Sequence, residues 1–314
     1  MTDKQLAKYD KRYYEGFLKK VLNKFIVGLL LLLSKLPFSV LYKISDFLCF
    51  LLGRIIRYRR KVILENLAHA FPEKPEEEIK RIAAKFYRHL TDLMVETVKM
   101  NGMSPKEMDK RISFKGLERF EELYNQNRSL IVLGMHHNNW EWGSAIQPHM
   151  RHTLLMLYNP VRGNSELENF ILKSREKWGG FSVPVHKSAR SVLKFNRTGQ
   201  PTALWLGADQ TPSPSSKFWT IFLHREAPFF SGPEKIAART NQPVFFHRTK
   251  KIARGKYEVI LTPLCLEPQK VDPNKILLDY IKMMEKVIAQ EPENYLWSHR
   301  RWKHSRPAGI SLIT

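Results

Sequence analysis

Ile131-Val132-Leu133-Gly134-Met135-His136-His137-Asn138-Asn139-Trp140-Glu141-Trp142-Gly143-Ser144 decides how this chain is read. Ser129–Leu133 is a short, continuous apolar run of β type, and Gly134 breaks it, so a buried strand is expected here. Two histidines, two asparagines and a glutamate then follow within six residues. With a helix starting near Asn138, a loop histidine at 136 meets a carboxylate at 141 from that helix's first turn. Such a carboxylate fixes an imidazole tautomer and stabilises the imidazolium once it takes a proton. That is equipment for activating a hydroxyl. Taken alone, the stretch reads equally well as a pair of histidines with no chemical role.

Outward from this stretch, strands and helices alternate. Ile112–Phe114, Thr153–Tyr158, Phe181–Val185, Thr202–Leu206, Val244–Arg248 and Tyr257–Thr262 read as strands. Helices are expected over 116–127, 167–178, 189–195, 232–240 and 272–290, several closed by glycine. This alternation implies one α/β domain with a central mixed sheet flanked by helices. Three polar clusters follow strand ends, where ligands of open α/β sheets gather: His136–Glu141, Asn159–Asn164 and Asp209-Gln210. Arg162, Arg175, Lys187 and Arg190 fall nearby in sequence and suit a basic groove. Individually, each also reads as part of a solvated face.

Before the sheet, Pro75-Glu76-Glu77-Glu78 opens a long helix with an apolar stripe, proline early and acids in the first turn. Within it His89 reads as structural. Further upstream, residues 1–24 carry seven Lys/Arg among aromatics, Phe25–Leu33 is wholly apolar, and Phe38–Ile56 forms a second apolar segment ending in Arg57-Tyr58-Arg59-Arg60-Lys61. Neither run reaches the roughly 20 uncharged residues that span a bilayer. Val21–Val40 spans only if Lys24 and Lys35 snorkel. A membrane-inserted or interfacial hairpin is the preferred reading, with two core helices of a soluble bundle as the alternative. Residues 1–61 are therefore read as an N-terminal membrane anchor. Residues 62–314 are read as the catalytic domain, with a helical lead-in over 62–110.

The chain's 52 Lys and Arg stand against 30 Asp and Glu, a formal net charge of +22. Such an excess suits an anionic membrane, acidic head groups or nucleic acid. Cys49 and Cys265 suggest neither a disulfide nor a metal site. No metal-ligand spacing, phosphate-cradling glycine loop or Gly-x-Ser-x-Gly turn is present, so direct base catalysis fits better than metal, nucleotide or covalent chemistry.

Four blocks in order carry a resemblance. These are Arg57-Tyr58-Arg59-Arg60-Lys61 with Glu65-Asn66-Leu67 and Phe71-Pro72, then His136-x4-Glu141-Trp142-Gly143, Asp209-Gln210-x-Pro212, and Pro292-Glu293-x-Tyr295-x-Trp297-x-His299-Arg300-Arg301-Trp302-Lys303. Over about residues 20–306 the chain resembles the late (lauroyl/myristoyl) acyltransferases of lipid A biosynthesis and related lysophospholipid acyltransferases. The resemblance implies a glycerolipid-acyltransferase-like fold and an enzyme of the bacterial inner membrane, active on its cytoplasmic side. It implies acyl transfer from acyl carrier protein, or coenzyme A, to a hydroxyl of a lipid acceptor. No cofactor, metal or nucleic-acid partner is expected. In that reading His136 is the general base and Glu141 its orienting partner, while Arg175, Arg162, Asn139, Asp209 and Gln210 are candidate substrate contacts. Polar residues lie between His136 and Glu141 where the enterobacterial enzymes tend to carry apolar ones. The acceptor is therefore either a lipid A precursor or a lysophospholipid or aminolipid. A non-catalytic basic membrane or nucleic-acid binder is the remaining alternative.

Overall fold

A computed structural model describes residues 15–187, Phe195 and 199–314. Seven strands form one sheet in the spatial order β1 (Ile112–Lys115), β9 (Lys256–Cys265), β8 (Val244–Ala253), β2 (Leu130–Gly134), β5 (Thr202–Gly207), β3 (Thr153–Tyr158) and β4 (Phe181–Pro184). All neighbours run parallel except β8 and β9, an antiparallel hairpin turning at Gly255 with φ +69°. The expected mixed sheet is therefore present. Strand β2 lies at its centre and is buried along its whole length. It packs on both faces, as its unbroken apolar run requires. Ile131 and Leu133 join one core, with Leu277, Tyr280 and Met284 of the helix α9 (Lys275–Gln290). Leu130 and Val132 join a second core on the other face, with Trp142, Phe120 and Phe245.

The remaining helices are α1 (Phe17–Ser34), α2 (Phe38–Phe50), α3 (Arg60–Ala70), α4 (Glu76–Met100), α5 (Pro105–Asp109), α6 (Glu118–Asn125), α7 (Ser165–Glu176) and α8 (Gly232–Thr240). A two-stranded hairpin, β6 (Trp219–Phe222) with β7 (Arg225–Pro228), and the short α5 were not anticipated from the sequence. The helix expected over 189–195, with Arg190, falls outside the described residues apart from Phe195.

Helix α4 begins where Pro75, in extended conformation, hands over to three glutamates. Beside its apolar stripe it buries Asp92 and Glu96, one helical turn apart. Asp92 is gripped by Arg254 of the β8–β9 turn, with Nη2 2.6 Å from Oδ1, and accepts from Ser45 Oγ of α2 at 2.7 Å. Glu96 accepts from Tyr42 of α2 at 2.9 Å, Tyr257 of β9 at 2.8 Å and Asn139 at 2.7 Å. These buried carboxylates tie the N-terminal helices to the sheet.

Helix α1 is inside-out for a water-facing element. It buries Asn23 and Ser34 and exposes Leu18, Leu22, Phe25, Leu29 and Leu32 along one stripe, with Lys19, Lys20 and Lys24 also exposed. It ends at Ser34, and Pro37 separates it from α2, so Val21–Val40 is not one continuous helix. Among the described residues no helix is long and apolar enough to cross a membrane. At its start, Glu15 Oε1 accepts from Asn23 Nδ2 at 2.5 Å, and Glu15 Oε2 accepts from Ser165 Oγ at 2.7 Å. This docks α1 onto the first residue of α7.

Candidate active site

The site is assembled by two neighbouring parallel strands that end at the same level. In register, Gly134 of β2 pairs with Gly207 of β5. Each glycine is followed two residues later by a titratable group, His136 and Asp209. Gly134 is sterically required, and Gly207 sits in tight contact with the His136 ring. A Cβ at Gly134 would lie 2.5 Å from the Trp205 ring, and one at Gly207 would lie 3.0 Å from His136 Cε1. Tyr280 of α9 donates to the Gly134 carbonyl at 2.6 Å and fixes the strand end from behind.

Asp209 holds His136 at two points. The ring Nδ1–H donates to Oδ1 at 2.7 Å, and the backbone N–H of His136 donates to Oδ2 at 3.0 Å. The Asp209 side chain is 2% exposed and that of His136 is 20%. The donor at Nδ1 leaves Nε2 as the lone-pair nitrogen, and Gln210 Nε2 donates to it at 3.1 Å. Burial opposes the imidazolium, but the charge and hydrogen bond of Asp209, joined by the charge of Glu141, outweigh it. The His136 pKa therefore lies above its usual value. Burial likewise penalises the Asp209 carboxylate, yet His136 and the backbone N–H hold its pKa below the ordinary range.

The expected contact between His136 and Glu141 is replaced by this one. Asn138 takes a left-handed conformation, φ +55°, so no helix starts there. A 3-10 helix begins only at Glu141 and carries its carboxylate elsewhere. Arg175 of α7 clasps Glu141 with both arms, Nε to Oε2 at 2.8 Å and Nη2 to Oε1 at 2.7 Å. A planar guanidinium and a carboxylate match in this bidentate way. Burial works against the Glu141 anion, and Arg175 overcomes it to hold the carboxyl below its ordinary pKa. Glu141 thus orients Arg175 and reaches His136 through its charge.

The other expected substrate contacts divide. Gln210 and Arg175 line the cleft at His136. Asn139 does not, because it is fully buried. Its amide donates to Glu96, and its Oδ1 accepts from Trp142 N–H at 3.2 Å, steadying the first turn of the Glu141 helix. Arg162 is exposed on the loop before α7. His137 is buried, donates from Nε2 to the Glu291 carbonyl at 3.1 Å and accepts at Nδ1 from Asn138 at 3.2 Å, so it serves the packing.

The cleft over His136 has a volume of about 420 Å³. Leu157, Ile171, Leu172, Leu206 and Ile236 give it a mainly apolar wall. A small extension of about 30 Å³ runs past Trp140 and Arg175 toward Leu154 and Met156. Trp140 stands edge-on to the imidazole, ring centroids 4.7 Å apart. The His136 ring thus lines a cleft with a mainly apolar wall.

Residues 16–304 match the model of the bacterial lipid A biosynthesis acyltransferase family. The chain belongs to that family. It is similar to the lipid A biosynthesis lauroyltransferase of Escherichia coli (strain K12), 27% identical over 296 residues that cover 90% of this chain and 92% of the relative. It is 25% identical to the palmitoleoyltransferase of the same strain over 301 residues, 93% of this chain and 94% of that one. Lipid A biosynthesis acyltransferase 2 of Shigella flexneri is 29% identical over 304 residues, covering 93% and 95% of the two chains. The enzyme is an acyltransferase.

Two features of the enzyme's site escaped the sequence. One is that Asp209, expected as a candidate substrate contact, is the immediate partner of His136. The signal was present as Gly134-x-His136 and Gly207-x-Asp209, the same offset after two strand ends. The other is Glu96 beneath the loop, hidden inside the α4 stripe.

Proposed function

We propose that this enzyme transfers a fatty acyl chain from a carrier-protein thioester to a hydroxyl of a lipid A precursor at the cytoplasmic face of the inner membrane. The observation that carries this reading is the pairing of His136 with Asp209 in a cleft with a mainly apolar wall. The acceptor hydroxyl displaces Gln210 from Nε2, and its oxygen attacks the thioester carbonyl carbon while its proton passes to Nε2. Asp209 keeps the imidazole in the required tautomer and stabilises the imidazolium. In this reading the Arg175 N–H groups not spent on Glu141 stabilise the tetrahedral oxyanion, the kind of preorganised donor that contributes most when water is excluded. Collapse breaks the carbon–sulfur bond, and the leaving thiolate takes the proton from Nε2. Ester and free thiol are the products. General base help of this kind typically gives about 10²–10⁴-fold.

The inside-out α1, with its apolar stripe and lysines, supports an interfacial membrane anchor formed by the first 61 residues. Docking of α1 on α7 sets the cleft beside that surface. Lipid mass spectrometry of a deletion strain tests the acceptor. Loss of one acyl chain from lipid A is expected; unchanged lipid A with an altered phospholipid or aminolipid profile would overturn the lipid A assignment.

A further inference from the structure

A second cavity, about 530 Å³ in volume, is lined in part by Leu296, Ser298 and His299. Leu52, Leu90, Met94 and Leu296 give it a largely apolar lining, with Arg59 and His299 among its polar members. Two of these residues touch the catalytic loops directly. Leu296 N–H donates to the His136 carbonyl at 3.1 Å, and His299 Nε2 accepts from the N–H of Thr211, a residue of the first cleft, at 3.2 Å. The two cavities are thus neighbours across one thin partition.

The segment around Arg59 is strongly cationic: Arg54, Arg57, Arg59, Arg60 and Lys61 are all exposed, with Arg59 lining this cavity while Arg54 and Arg60 line another beside Asp46 and Arg88. Among the described residues, the one salt bridge of this segment is the long Lys61–Glu65 contact at 3.8 Å. Arg57 and Arg59 both hold left-handed backbone, φ +52° and +49°, a conformation that L side chains rarely adopt. Arg59 donates from Nη1 to the Ser298 carbonyl at 2.8 Å, and its guanidinium carbon lies 5.6 Å from the Tyr58 ring centroid. Its other N–H groups have no protein acceptor among the described residues. Exposed Ile55 and Ile56 continue the apolar surface beside these cations.

Apolar walls beside a guanidinium with N–H groups to spare complement an anionic amphiphile, and a guanidinium matches a phosphate bidentately. A lipid acceptor brings acyl chains of its own, and this cavity adjoins the loop that carries His136.

We propose that this second cavity seats the acceptor, taking an acyl chain of a phosphorylated lipid whose phosphate is gripped by Arg59 and Arg57. The inference rests on the acyl-transfer reading above and adds to it the site of the second substrate. The test is titration of the full chain with dioctanoyl phosphatidic acid, followed by native mass spectrometry, with dioctanoylglycerol as the uncharged-head control. One phosphatidic acid is expected to bind, about tenfold more tightly than the dioctanoylglycerol. Arg59→Gln removes the phosphate contact, and Met94→Trp fills the cavity from a half-exposed position that tolerates bulk. Each is expected to weaken phosphatidic acid about tenfold. His136→Ala is expected to bind it as the native chain does. Unchanged binding in Met94→Trp, or equal affinity for the two lipids, overturns the proposal. If the variants weaken binding while the native enzyme transfers no acyl chain to any lipid, the acyl-transfer reading falls and the lipid site stands.

Discussion

Replacing Asp209 by Asn separates two assignments of the partner of His136. The substitution keeps shape and volume but removes the charge, and it sets an amide where two donors now converge. His136 loses its acceptor at Nδ1, 2.7 Å away, or at its backbone N–H, 3.0 Å away. A hydrogen bond to a charged group contributes about 1.5–3 kcal/mol, and each 1.4 kcal/mol is about tenfold in rate. If the amide N–H₂ faces Nδ1, the ring is driven to the Nε2–H tautomer and ceases to be a base. The expected fall in kcat is therefore about 10²–10⁴-fold, with little change in donor KM. The pH profile moves as well. The base must be neutral, so in the native enzyme the rate rises with pH through the raised pKa of His136. Without the Asp209 charge that limb moves to lower pH. The assay is steady-state acyl transfer across pH with Asp209→Asn and Glu141→Gln side by side. The reasoning is refuted if Asp209→Asn stays within about threefold of native with an unmoved limb while Glu141→Gln abolishes transfer.

Further outcomes follow from the same geometry. His136, with its raised pKa, contributes stability that is complete below its ordinary value of 6.5 and lost as pH climbs through the folded value. Asp209, with its lowered pKa, contributes stability that is complete above 3.8 and lost on acidification. The stability gap between native and Asp209→Asn should thus be widest between these two pH values, as read by denaturant unfolding. Gly207→Ala places a methyl 3.0 Å from His136 Cε1, so kcat should fall about tenfold or more from ring displacement while Tm changes little. Arg175→Leu strands the Glu141 carboxylate, whose side chain is 11% exposed, at a cost of about 3 kcal/mol. The double variant Glu141→Leu/Arg175→Leu should recover part of that in unfolding assays. Changing Leu18, Leu22 and Phe25 to Ser should release the enzyme from vesicles containing anionic lipid in a sedimentation assay, with its fold intact by circular dichroism.

Most of the sheet was legible because its strands are short apolar runs bounded by turn residues, and β3 and α8 fall on their expected residues. The site was legible up to the limit of local pattern. His136 follows a buried strand, and that needs no knowledge of neighbours. Its partner lies 73 residues away and meets it only because β5 enters the sheet beside β2, a strand order that periodicity does not encode. The local candidate, Glu141, was favoured by assuming helix from Asn138, and a single left-handed residue redirected it toward Arg175, 34 residues on. Asn139 is a related case. A polar residue beside a candidate base suggests substrate contact, whereas this one donates to a buried carboxylate on α4. At the N-terminus, composition indicated a membrane-facing segment. The inward Asn23 and Ser34, which turn the apolar side of α1 outward, became visible only from its packing.

The central claim is that His136 moves an acyl chain onto a lipid A-type hydroxyl. Purified enzyme in mixed micelles, given radiolabelled acyl-carrier protein and an under-acylated lipid A precursor, tests it in one thin-layer separation. Native enzyme should convert the precursor to a product one acyl chain larger, and His136→Ala should reduce that rate by about 10²-fold or more while remaining folded. Equal product formation by His136→Ala, or label transferred by native enzyme only to other lipids, would contradict the account.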